Sequence, residues 1–350
     1  MKIHEKYILR CIQIAKNGLG STFPNPMVGA VIVHNNTIIG EGFTSPYGGS
    51  HAEVNAINSV KDKTLLSKAS LYVTLEPCSH YGKTPPCADL IVKHKIPNVI
   101  ISLTDPHEKV AGAGIKKLEN AGCNVITGVL EKECREHHKR FLCFYEKKRP
   151  YIILKWAETN DGFIAPLKSK RNINPEPFWI TTKASRQLVH QWRSQEQGIL
   201  VGTNTVLEDN PKLDVRNWYG KAPTRIIIDR NLKIKVNKNI LDLSVKTIVI
   251  TSKLDKEKQV DGVFYEPIDF KKPIAKEINN ILYKHSILSV IIEGGSKTLQ
   301  TFINENLWDE ARVFKGISTF KEGITAPKLA EKLKANTNIK TDTLNIYYND

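Results

Sequence analysis

Two segments of the sequence, SHAEVNAI at residues 50–57 and LEPCSHYGKTPPC at residues 75–87, decide what kind of domain the first half of the chain forms. The second segment places Cys78 and Cys87 nine positions apart, a separation that suits a disulfide, a redox pair or a metal site. The first segment places His51 and Glu53 two positions apart, at the predicted start of a helix. Together the segments bring one imidazole, two thiols and one carboxyl group to one candidate site.

The number and spread of the cysteines argue against a disulfide. Six cysteines are distributed over 350 residues, whereas disulfide frameworks are typical of short secreted proteins. The N-terminal segment carries Glu5 and Arg10 where a signal peptide would be apolar, and the chain contains no apolar run of about 18 residues. We therefore expect a cytoplasmic protein in which the close cysteine pair binds a metal or takes part in catalysis.

The residue types around the cysteine pair favour catalytic zinc. One histidine and two cysteines supply three ligands and leave the fourth tetrahedral position for water, as in catalytic zinc sites. His-x-Glu followed by Pro-Cys and a second cysteine is the signature of the zinc nucleobase deaminases. We predict His51, Cys78 and Cys87 as zinc ligands. We predict Glu53 as the carboxylate that carries a proton to the leaving amine. His80, in the same loop, suits a fourth ligand or a substrate contact, and we expect the substrate contact.

The segment between the two cysteines is longer than in the general deaminase signature. Eight residues separate Cys78 from Cys87, where the general signature has two. Pro85 and Pro86 restrict the end of this loop, which helps to bring both sulfur atoms to about 2.3 Å from one ion. Predicted amphipathic helices begin after His51 and at Cys87, and the positive ends of their dipoles would favour thiolates at the site.

The length and charge of the chain limit its architecture and its partners. A chain of 350 residues is too long for one ordinary core and predicts two domains. The net charge of +15 suits phosphorylated ligands or nucleic acid. Because the lysines are scattered, without a dense block or interleaved aromatic residues, we favour a solvated lysine-rich surface with local phosphate sites over a nucleic-acid face.

Predicted strands and helices alternate along both halves of the sequence, which is typical of an α/β protein. A helix is predicted over residues 4–17, and a long charged helix over 131–150 ends in a basic cluster and a proline. We place the domain boundary at the end of that helix, between residues 147 and 148. The predicted strands cover 27–34 and 37–43, which form a hairpin, then 69–75, 98–103, 197–202, 224–229, 245–251, 287–295 and 309–316.

Four segments of the first half resemble the deaminase half of the bifunctional riboflavin-biosynthesis deaminase/reductase family. They are PNPMVGAVIV, SHAEVNAI, LEPCSHYGKTPPC and DPHEKVAGAGI, and the long cysteine loop is specific to that group. The resemblance implies a cytidine-deaminase-like three-layer α/β domain over residues 1–147. It also implies a diaminopyrimidinone substrate carrying a ribosylamino 5-phosphate, with Asn25 and the PNPMVG turn helping to hold the pyrimidine.

The second half resembles the reductase half of the same family. Its similar segments are LKWAETNDGFIA, WIT, GILVGTNTVLEDNPKLDVR and IIEGGSKTLQTFI. The resemblance implies a dihydrofolate-reductase-like domain over residues 148–350 that reduces the ribosyl group with NADPH. No Gly-x-Gly-x-x-Gly follows a strand, so the ordinary Rossmann fingerprint is missing. The Gly-Gly turn before a predicted helix suits phosphate binding or an ordinary turn.

The same resemblance assigns residues of the second half to cofactor and substrate. Without it, Trp179 would be interpreted as a core residue and Asp209 as a turn residue, whereas Arg216 suits a phosphate on chemical grounds. Pro177 stands where relatives often carry a small polar residue, so one substrate hydrogen bond is unassigned. The predicted cofactor residues are Glu158, Trp179, Thr205, Asp209, Gly295, Ser296, Lys297, Thr298 and Leu299. The predicted substrate residues are Arg193, Leu213, Arg216 and Glu293, with Asn25 and His80 in the first domain.

We therefore expect a cytoplasmic two-domain enzyme with Zn²⁺ and NADPH as cofactors. The expected ligand is a phosphorylated pyrimidine, the expected partners include neither nucleic acid nor a membrane, and the enzyme is expected to be a homo-oligomer. One alternative is an RNA or nucleoside deaminase with an accessory domain, which the long cysteine loop disfavours. Another is a zinc-stabilised binding protein in which Glu53 would be dispensable. The last forty or so residues are predicted to complete the second sheet, without an assigned role.

Overall fold

A computed structural model describes residues 2–81, 85–106, 111–171 and 177–349 of the chain. The contacts between residues divide the chain into two compact units, Met1–Lys148 and Arg149–Asp350. The boundary predicted from the sequence lies one residue earlier. In the described part of the chain, no helix combines the length and the apolar character needed to cross a membrane.

The first unit alternates strands and helices around one sheet. Its strands are β1 (Gly29–His34), β2 (Thr37–Phe43), β3 (Ser70–Leu75), β4 (Asn98–Leu103) and β5 (Asn124–Thr127). Its α-helices are α1 (Ile3–Ala15), α2 (Ala52–Ser59), α3 (Cys87–Lys93), α4 (Ala113–Asn120), α5 (Glu131–His137) and α6 (Lys139–Lys147). The strand order is β2-β1-β3-β4-β5, with β1 antiparallel to both of its neighbours and β3, β4 and β5 parallel.

The predicted hairpin of β1 and β2 is confirmed. Its two turn residues, Asn35 and Asn36, have backbone φ angles of 47° and 60°. Two-residue hairpin turns of this hand need positive φ at both central positions, which asparagine tolerates better than most residues. Gly29 at the start of β1 lies so close to α1 that a Cβ atom would be 2.0 Å from the carbonyl oxygen of Cys11. Only glycine fits this contact between strand and helix.

The prediction of a single charged helix over residues 131–150 is wrong. The chain forms α5 and α6 instead, which meet at His138, where φ is −92° and ψ is 10°. The His138 imidazole is buried, and its Nε2 atom lies 3.0 Å from the Thr74 hydroxyl of β3. The break lets a buried imidazole reach the sheet, a tertiary contact that the charge pattern of the segment does not reveal.

The second unit contains a large sheet and a separate two-stranded sheet. Its strands are β6 (Tyr151–Glu158), β7 (Phe163–Ala165), β8 (Gly198–Gly202), β9 (Thr224–Ile228), β10 (Thr247–Thr251), β11 (Phe264–Pro267), β12 (Ser289–Ile292), β13 (Glu310–Lys315), β14 (Ile324–Thr325), β15 (Ala335–Ile339) and β16 (Asp342–Tyr348). Its α-helices are α7 (Lys183–Gln195), α8 (Thr203–Asp209), α9 (Ile274–Lys284) and α10 (Ser296–Asn304).

The large sheet has the strand order β11-β10-β9-β8-β12-β6-β13-β16-β15. The strands from β11 to β13 in this order are parallel, and β16 and β15 are antiparallel additions at one edge. Strands such as β8, β10 and β12 are buried over nearly their whole length. Parallel strands that are covered on both faces are apolar throughout, which explains the continuous apolar runs in the sequence.

The prediction that the C-terminal segment completes the second sheet is confirmed, because β16 pairs with β13 and β15 with β16. The buried carboxylate of Asp342, at the start of β16, also accepts hydrogen bonds from the first turn of α7. Its donors are the Thr182 N–H (2.8 Å), the Thr182 hydroxyl (2.8 Å) and the Ser185 hydroxyl (2.6 Å). The C-terminal segment therefore fixes the start of α7.

We expect the substitution Asp342→Ala to lower the free energy of unfolding of the second unit by about 1–3 kcal/mol, because it leaves buried donors without an acceptor. Urea unfolding followed by tryptophan fluorescence measures the change, since all five tryptophans lie in this unit. The control is Asp255→Ala, which removes a partly exposed ion pair with Lys258 and should cost about 1 kcal/mol at most. Equal losses in the two variants would contradict the prediction.

Candidate functional sites

The first candidate site brings together the three predicted metal ligands. His51 immediately precedes α2, Cys78 follows β3, and Cys87 is the first residue of α3. The Nδ1 atom of His51 lies 3.6 Å from Sγ of Cys78 and 3.3 Å from Sγ of Cys87. Bond lengths of about 2.0 Å to nitrogen and 2.3 Å to sulfur place tetrahedral nitrogen and sulfur ligands about 3.5 Å apart. The observed spacing therefore fits a single zinc ion.

Backbone groups at the start of α3 hold the Cys78 ligand. The Cys87 N–H donates to Sγ of Cys78 (3.3 Å), and the Ala88 N–H donates to the Cys78 carbonyl oxygen (3.1 Å). The hydrogen bond from the Cys87 side chain lowers the pKa of the Cys78 thiol against the effect of burial, and His51 adds to this lowering. The start of α3 faces Cys78, as predicted.

Glu53 lies beside this cluster, in the first turn of α2, and is 4% exposed. Its carboxyl group forms a hydrogen bond with the Cys87 side chain. Burial and the nearby Cys78 raise the pKa of Glu53 to about 7, against the opposite effect of His51. A carboxyl group with a pKa near the working pH can both accept and donate a proton.

The structure places His80 outside the metal cluster. The His80 side chain is exposed and lies in the segment between β3 and α3. The ligand atoms of His51, Cys78 and Cys87 lie within 4.8 Å of one another, and this group does not include His80. The arrangement disfavours a fourth ligand at this position. Substrate contact by His80 stays a prediction. Residues 82–84 of the cysteine loop lie outside the described residues.

Asn25, the other substrate residue predicted in the first unit, lies between α1 and β1 and is partly buried. Its backbone N–H donates to the carbonyl oxygen of Thr22 at 2.9 Å. Its contact with the pyrimidine stays a prediction. In the segment DPHEKVAGAGI, which carries part of the family resemblance, residues 107–110 lie outside the described residues.

The second candidate site is a cavity of about 750 Å³ at the carboxyl ends of β6, β8, β9 and β12. Open parallel sheets bind their ligands at this edge. Pro177 also lies on the wall of the cavity. Twelve of the predicted cofactor and substrate residues of the second unit line it: Trp179, Arg193, Thr205, Asp209, Leu213, Arg216, Glu293, Gly295, Ser296, Lys297, Thr298 and Leu299.

Two of the predicted cofactor residues, Glu158 and Trp179, have surroundings in the structure that the sequence did not indicate. Glu158 does not line the cavity, and its carboxylate accepts a hydrogen bond at 2.8 Å from the indole N–H of Trp156, which does line it. The role of Glu158 stays a prediction without a supporting contact. Trp179 is 53% exposed, and the Arg186 guanidinium lies 4.5 Å from the centre of its ring. The alternative that Trp179 is a core residue is therefore wrong.

The Gly-Gly turn that precedes α10 requires glycine for two separate reasons. Gly295 has a φ of 66°, which side-chain-bearing residues rarely adopt. Gly294 lies so close to β8 that a Cβ atom would be 2.8 Å from the Cβ atom of Val201. The turn thereby brings the first residues of α10 to the cavity wall.

A buried group of charges forms one wall of this cavity. The Nε and Nη2 atoms of Arg193 donate to the Glu293 carboxylate at 2.9 and 2.7 Å, and Nζ of Lys155 lies 3.8 Å from the same carboxylate. Burial alone would raise the pKa of Glu293, but Arg193 and Lys155 outweigh it and lower the pKa to about 2. Two cations share one carboxylate, so this wall favours an anionic ligand.

Sequence analysis missed Lys155, although the sequence contained a signal for it. Lys155 interrupts the apolar strand YIILKWAE, and a lysine in a buried strand almost always has a partner or a function. Burial lowers the pKa of the Lys155 ammonium, while Glu293 acts in the opposite direction.

Sequence analysis also missed Arg171, which lines the cavity and is paired with Asp209 at the end of α8. The Nη2 atom of Arg171 also donates to the carbonyl oxygen of Glu208 at 3.5 Å. Burial raises the pKa of Asp209, while Arg171 acts to lower it. Asp209 is therefore a partnered carboxylate on the cavity wall, and no local pattern connects it with Arg171.

Family models match both units. Residues 1–103 match the cytidine and deoxycytidylate deaminase zinc-binding region, and residues 150–316 match the RibD C-terminal domain. The riboflavin biosynthesis protein RibD of Aquifex aeolicus (strain VF5) is 38% identical over 332 residues, which cover 93% of this chain and 90% of that protein. The RibD protein of Bacillus amyloliquefaciens is 39% identical over 319 residues, which cover 89% of this chain and 84% of that protein.

Solved structures are similar over nearly the whole chain. The Thermotoga maritima diaminohydroxyphosphoribosylaminopyrimidine deaminase/5-amino-6-(5-phosphoribosylamino)uracil reductase gives a TM-score of 0.88 at 36% identity and covers 99% of this chain and 98% of its own. Acinetobacter baumannii RibD, in the structure described as form 1, gives a TM-score of 0.89 at 31% identity, with the same coverage. The predicted α/β fold class, with a deaminase-like and a reductase-like domain, is confirmed.

Proposed function

Because this chain belongs to the family of the riboflavin biosynthesis protein RibD and is a bifunctional deaminase and reductase, we propose roles for the main residues of its two sites. The two family domains and the cluster of one histidine and two cysteines are consistent with Zn²⁺ and NADPH as cofactors. The proposed first substrate is 2,5-diamino-6-(5-phosphoribosylamino)pyrimidin-4-one, in agreement with the name of the Thermotoga maritima relative. The alternatives of an RNA deaminase and of a binding protein without turnover find no support among these relatives.

In the first unit, His51, Cys78 and Cys87 hold zinc in the proposed mechanism. The spacing of their ligand atoms is the observation that carries this assignment. When bound, zinc supplies the Lewis acid that activates water for attack on the amine-bearing ring carbon. The Glu53 carboxylate accepts a proton from that water and delivers it to the departing amine, which leaves as ammonia. Burial of Glu53 beside the ligands suits both transfers, because it raises the pKa to about 7.

In the second unit, the proposed reduction takes place in the cavity at the edge of the large sheet. NADPH supplies the hydride. The backbone N–H groups at the start of α10 suit a cofactor phosphate. Arg216, whose side chain is 47% exposed and paired with Asp214, suits a bidentate contact with the substrate phosphate. Arg193 and Lys155 orient Glu293 and add positive charge beside the substrate.

Incubation of the purified zinc-loaded protein with the diaminopyrimidine ribotide tests the proposed function. We expect ammonia release with or without NADPH, because deamination needs no reductant. We expect NADPH consumption only when the deaminated compound is present, either formed in the mixture or added directly. An RNA oligonucleotide offered in parallel should stay unmodified. A zinc-loaded protein that releases no ammonia from the ribotide would overturn the proposal for the first unit.

The homo-oligomeric state and the cytoplasmic location expected from the sequence also stay predictions. Size-exclusion chromatography with light scattering measures the first, through the mass of the particle relative to the 39.5 kDa chain.

A further inference from the structure

We propose that Glu76 is a positioning residue for the zinc site, and that it couples the ligand Cys78 to the segment between β4 and α4. The inference rests on the proposed role of Cys78 as a zinc ligand. Glu76 follows the last residue of β3, two positions before Cys78, and is 4% exposed. A buried carboxylate at this place needs hydrogen-bond donors, and the structure supplies them from a separate part of the chain.

Four backbone N–H groups donate to the Glu76 carboxylate. Gly114 and Ile115 donate to Oε1 at 2.8 and 3.2 Å, and Asp105 and Gly112 donate to Oε2 at 3.1 and 3.0 Å. Asp105 and Gly112 lie near the two ends of the segment between β4 and α4, and Gly114 and Ile115 lie in the first turn of α4. Hydrogen bonds from N–H groups to an ionised carboxylate are stronger than those between neutral groups. One side chain thus holds both ends of this segment.

The chain between Glu76 and Cys78 has little freedom to move. The Glu76 N–H donates to the carbonyl oxygen of Leu103 at 2.8 Å, which extends the pairing of β3 with β4. Gly114 packs directly on Pro77, the residue that follows Glu76, since a Cβ atom on Gly114 would lie 2.1 Å from the carbonyl oxygen of Pro77. Cys78 itself is fixed from the other side by the N–H groups of α3. A displacement at the start of α4 would therefore move the Cys78 sulfur.

Two consequences follow for zinc binding. Residues that position a metal ligand without touching the metal typically contribute about 10–100-fold to metal affinity. Coupling of binding free energies is reciprocal. If Glu76 couples the position of the start of α4 to that of Cys78, the hydrogen bonds to Glu76 favour zinc binding. Bound zinc must then in turn stabilise the hydrogen bonds that the Glu76 carboxylate accepts.

The first experiment replaces the carboxylate with an amide of the same shape. In Glu76→Gln an NH₂ group faces N–H donors in place of one acceptor oxygen. We expect zinc affinity, measured by competition with a chromogenic chelator, to fall about 10–100-fold. NADPH consumption with the deaminated substrate should be unchanged, because that site lies in the other unit. The matched control is Asp62→Asn, an exposed carboxylate that accepts the Thr64 N–H at 3.0 Å, and it should keep the zinc affinity of the unmodified protein.

The second experiment uses the unmodified protein and does not depend on whether the variant folds. Hydrogen exchange of the Gly114 and Ile115 amides should become faster when zinc is removed, by about the same 10–100-fold factor. The Gly122 amide, which bonds to Glu119 at the far end of α4, should change much less. Two results would overturn the inference. One is the same zinc affinity in Glu76→Gln and in the unmodified protein, and the other is hydrogen exchange at Gly114 and Ile115 that does not change when zinc is removed. A protein that binds no zinc would instead overturn the proposed function itself.

Discussion

The substitution Glu53→Gln should reduce ammonia release by about 100- to 10,000-fold, the usual contribution of a positioned acid-base group. Glutamine has the shape of the buried side chain but cannot accept a proton from water and pass it to the amine. The three ligands His51, Cys78 and Cys87 are unchanged, so zinc should stay bound at one ion per chain. A coupled ammonia assay and metal analysis of the same preparation measure the two quantities.

Two controls separate a chemical effect of Glu53→Gln from general damage. NADPH consumption with the deaminated substrate should be normal, because the cavity of the second unit is untouched. The variant Glu5→Gln makes the same change in the first turn of another helix, α1, where the side chain is not buried. It should release ammonia like the unmodified protein. Retained ammonia release in Glu53→Gln would exclude this residue as the proton carrier and would favour a site that binds without turnover.

The substitution Glu293→Gln should lower the free energy of unfolding of the second unit by about 3–5 kcal/mol, the usual cost of breaking a buried ion pair from one side. It leaves the buried cations Arg193 and Lys155 without their carboxylate. The reductase should also show a higher KM for its substrate, because Glu293 is a predicted substrate residue and holds Arg193 and Lys155 in place on the cavity wall. Urea unfolding followed by tryptophan fluorescence reports on this unit alone, since it contains all five tryptophans.

The control for Glu293→Gln is Glu322→Gln, which removes an ion pair between two exposed side chains, Glu322 and Lys170. Exposed pairs contribute about 0–1 kcal/mol, so the control should remain close to the unmodified protein. Similar losses in the two variants would show that the buried carboxylate has no special role in stability.

The pH dependence of the Glu293 effect has a definite sign. The pKa is about 2 in the folded protein and 4.5 for an unperturbed glutamate. A carboxylate with a lowered pKa stabilises the fold fully above its unfolded pKa, and this contribution is lost as the pH falls toward the folded value. The difference in stability between the unmodified protein and Glu293→Gln should thus be constant between about pH 6 and 8 and decrease between about pH 4.5 and 2. A difference that changes between pH 6 and 8 would point to another titrating group.

The residues of the metal site could be predicted because each lies in a short segment with a recognisable pattern. His51 and Cys87 lie at helix starts that the apolar periodicity reveals, and the chemical types of the ligands restrict the metal. The asparagine turn between β1 and β2 was predictable for a similar reason, since positive φ limits the residues that fit. In the second unit, the family resemblance assigned residues from remote segments, and the sheet brings twelve of them to one cavity.

From the sequence alone, the two α/β domains and a cluster of His51, Cys78 and Cys87 beside Glu53 could be predicted, and the structure brings these four side chains together. The pairing of the charged side chains depends on contacts between distant segments, which the sequence analysis did not predict. Arg193 meets Glu293 across 100 positions, and Arg171 meets Asp209 across 38. Tertiary contacts also place the Glu158 carboxylate beside the Trp156 indole, divide the predicted last helix of the first unit at His138, and bring backbone N–H donors to Glu76. Periodicity records which face of a strand or helix is buried, but the partner of a buried polar group is set by which distant segment packs there.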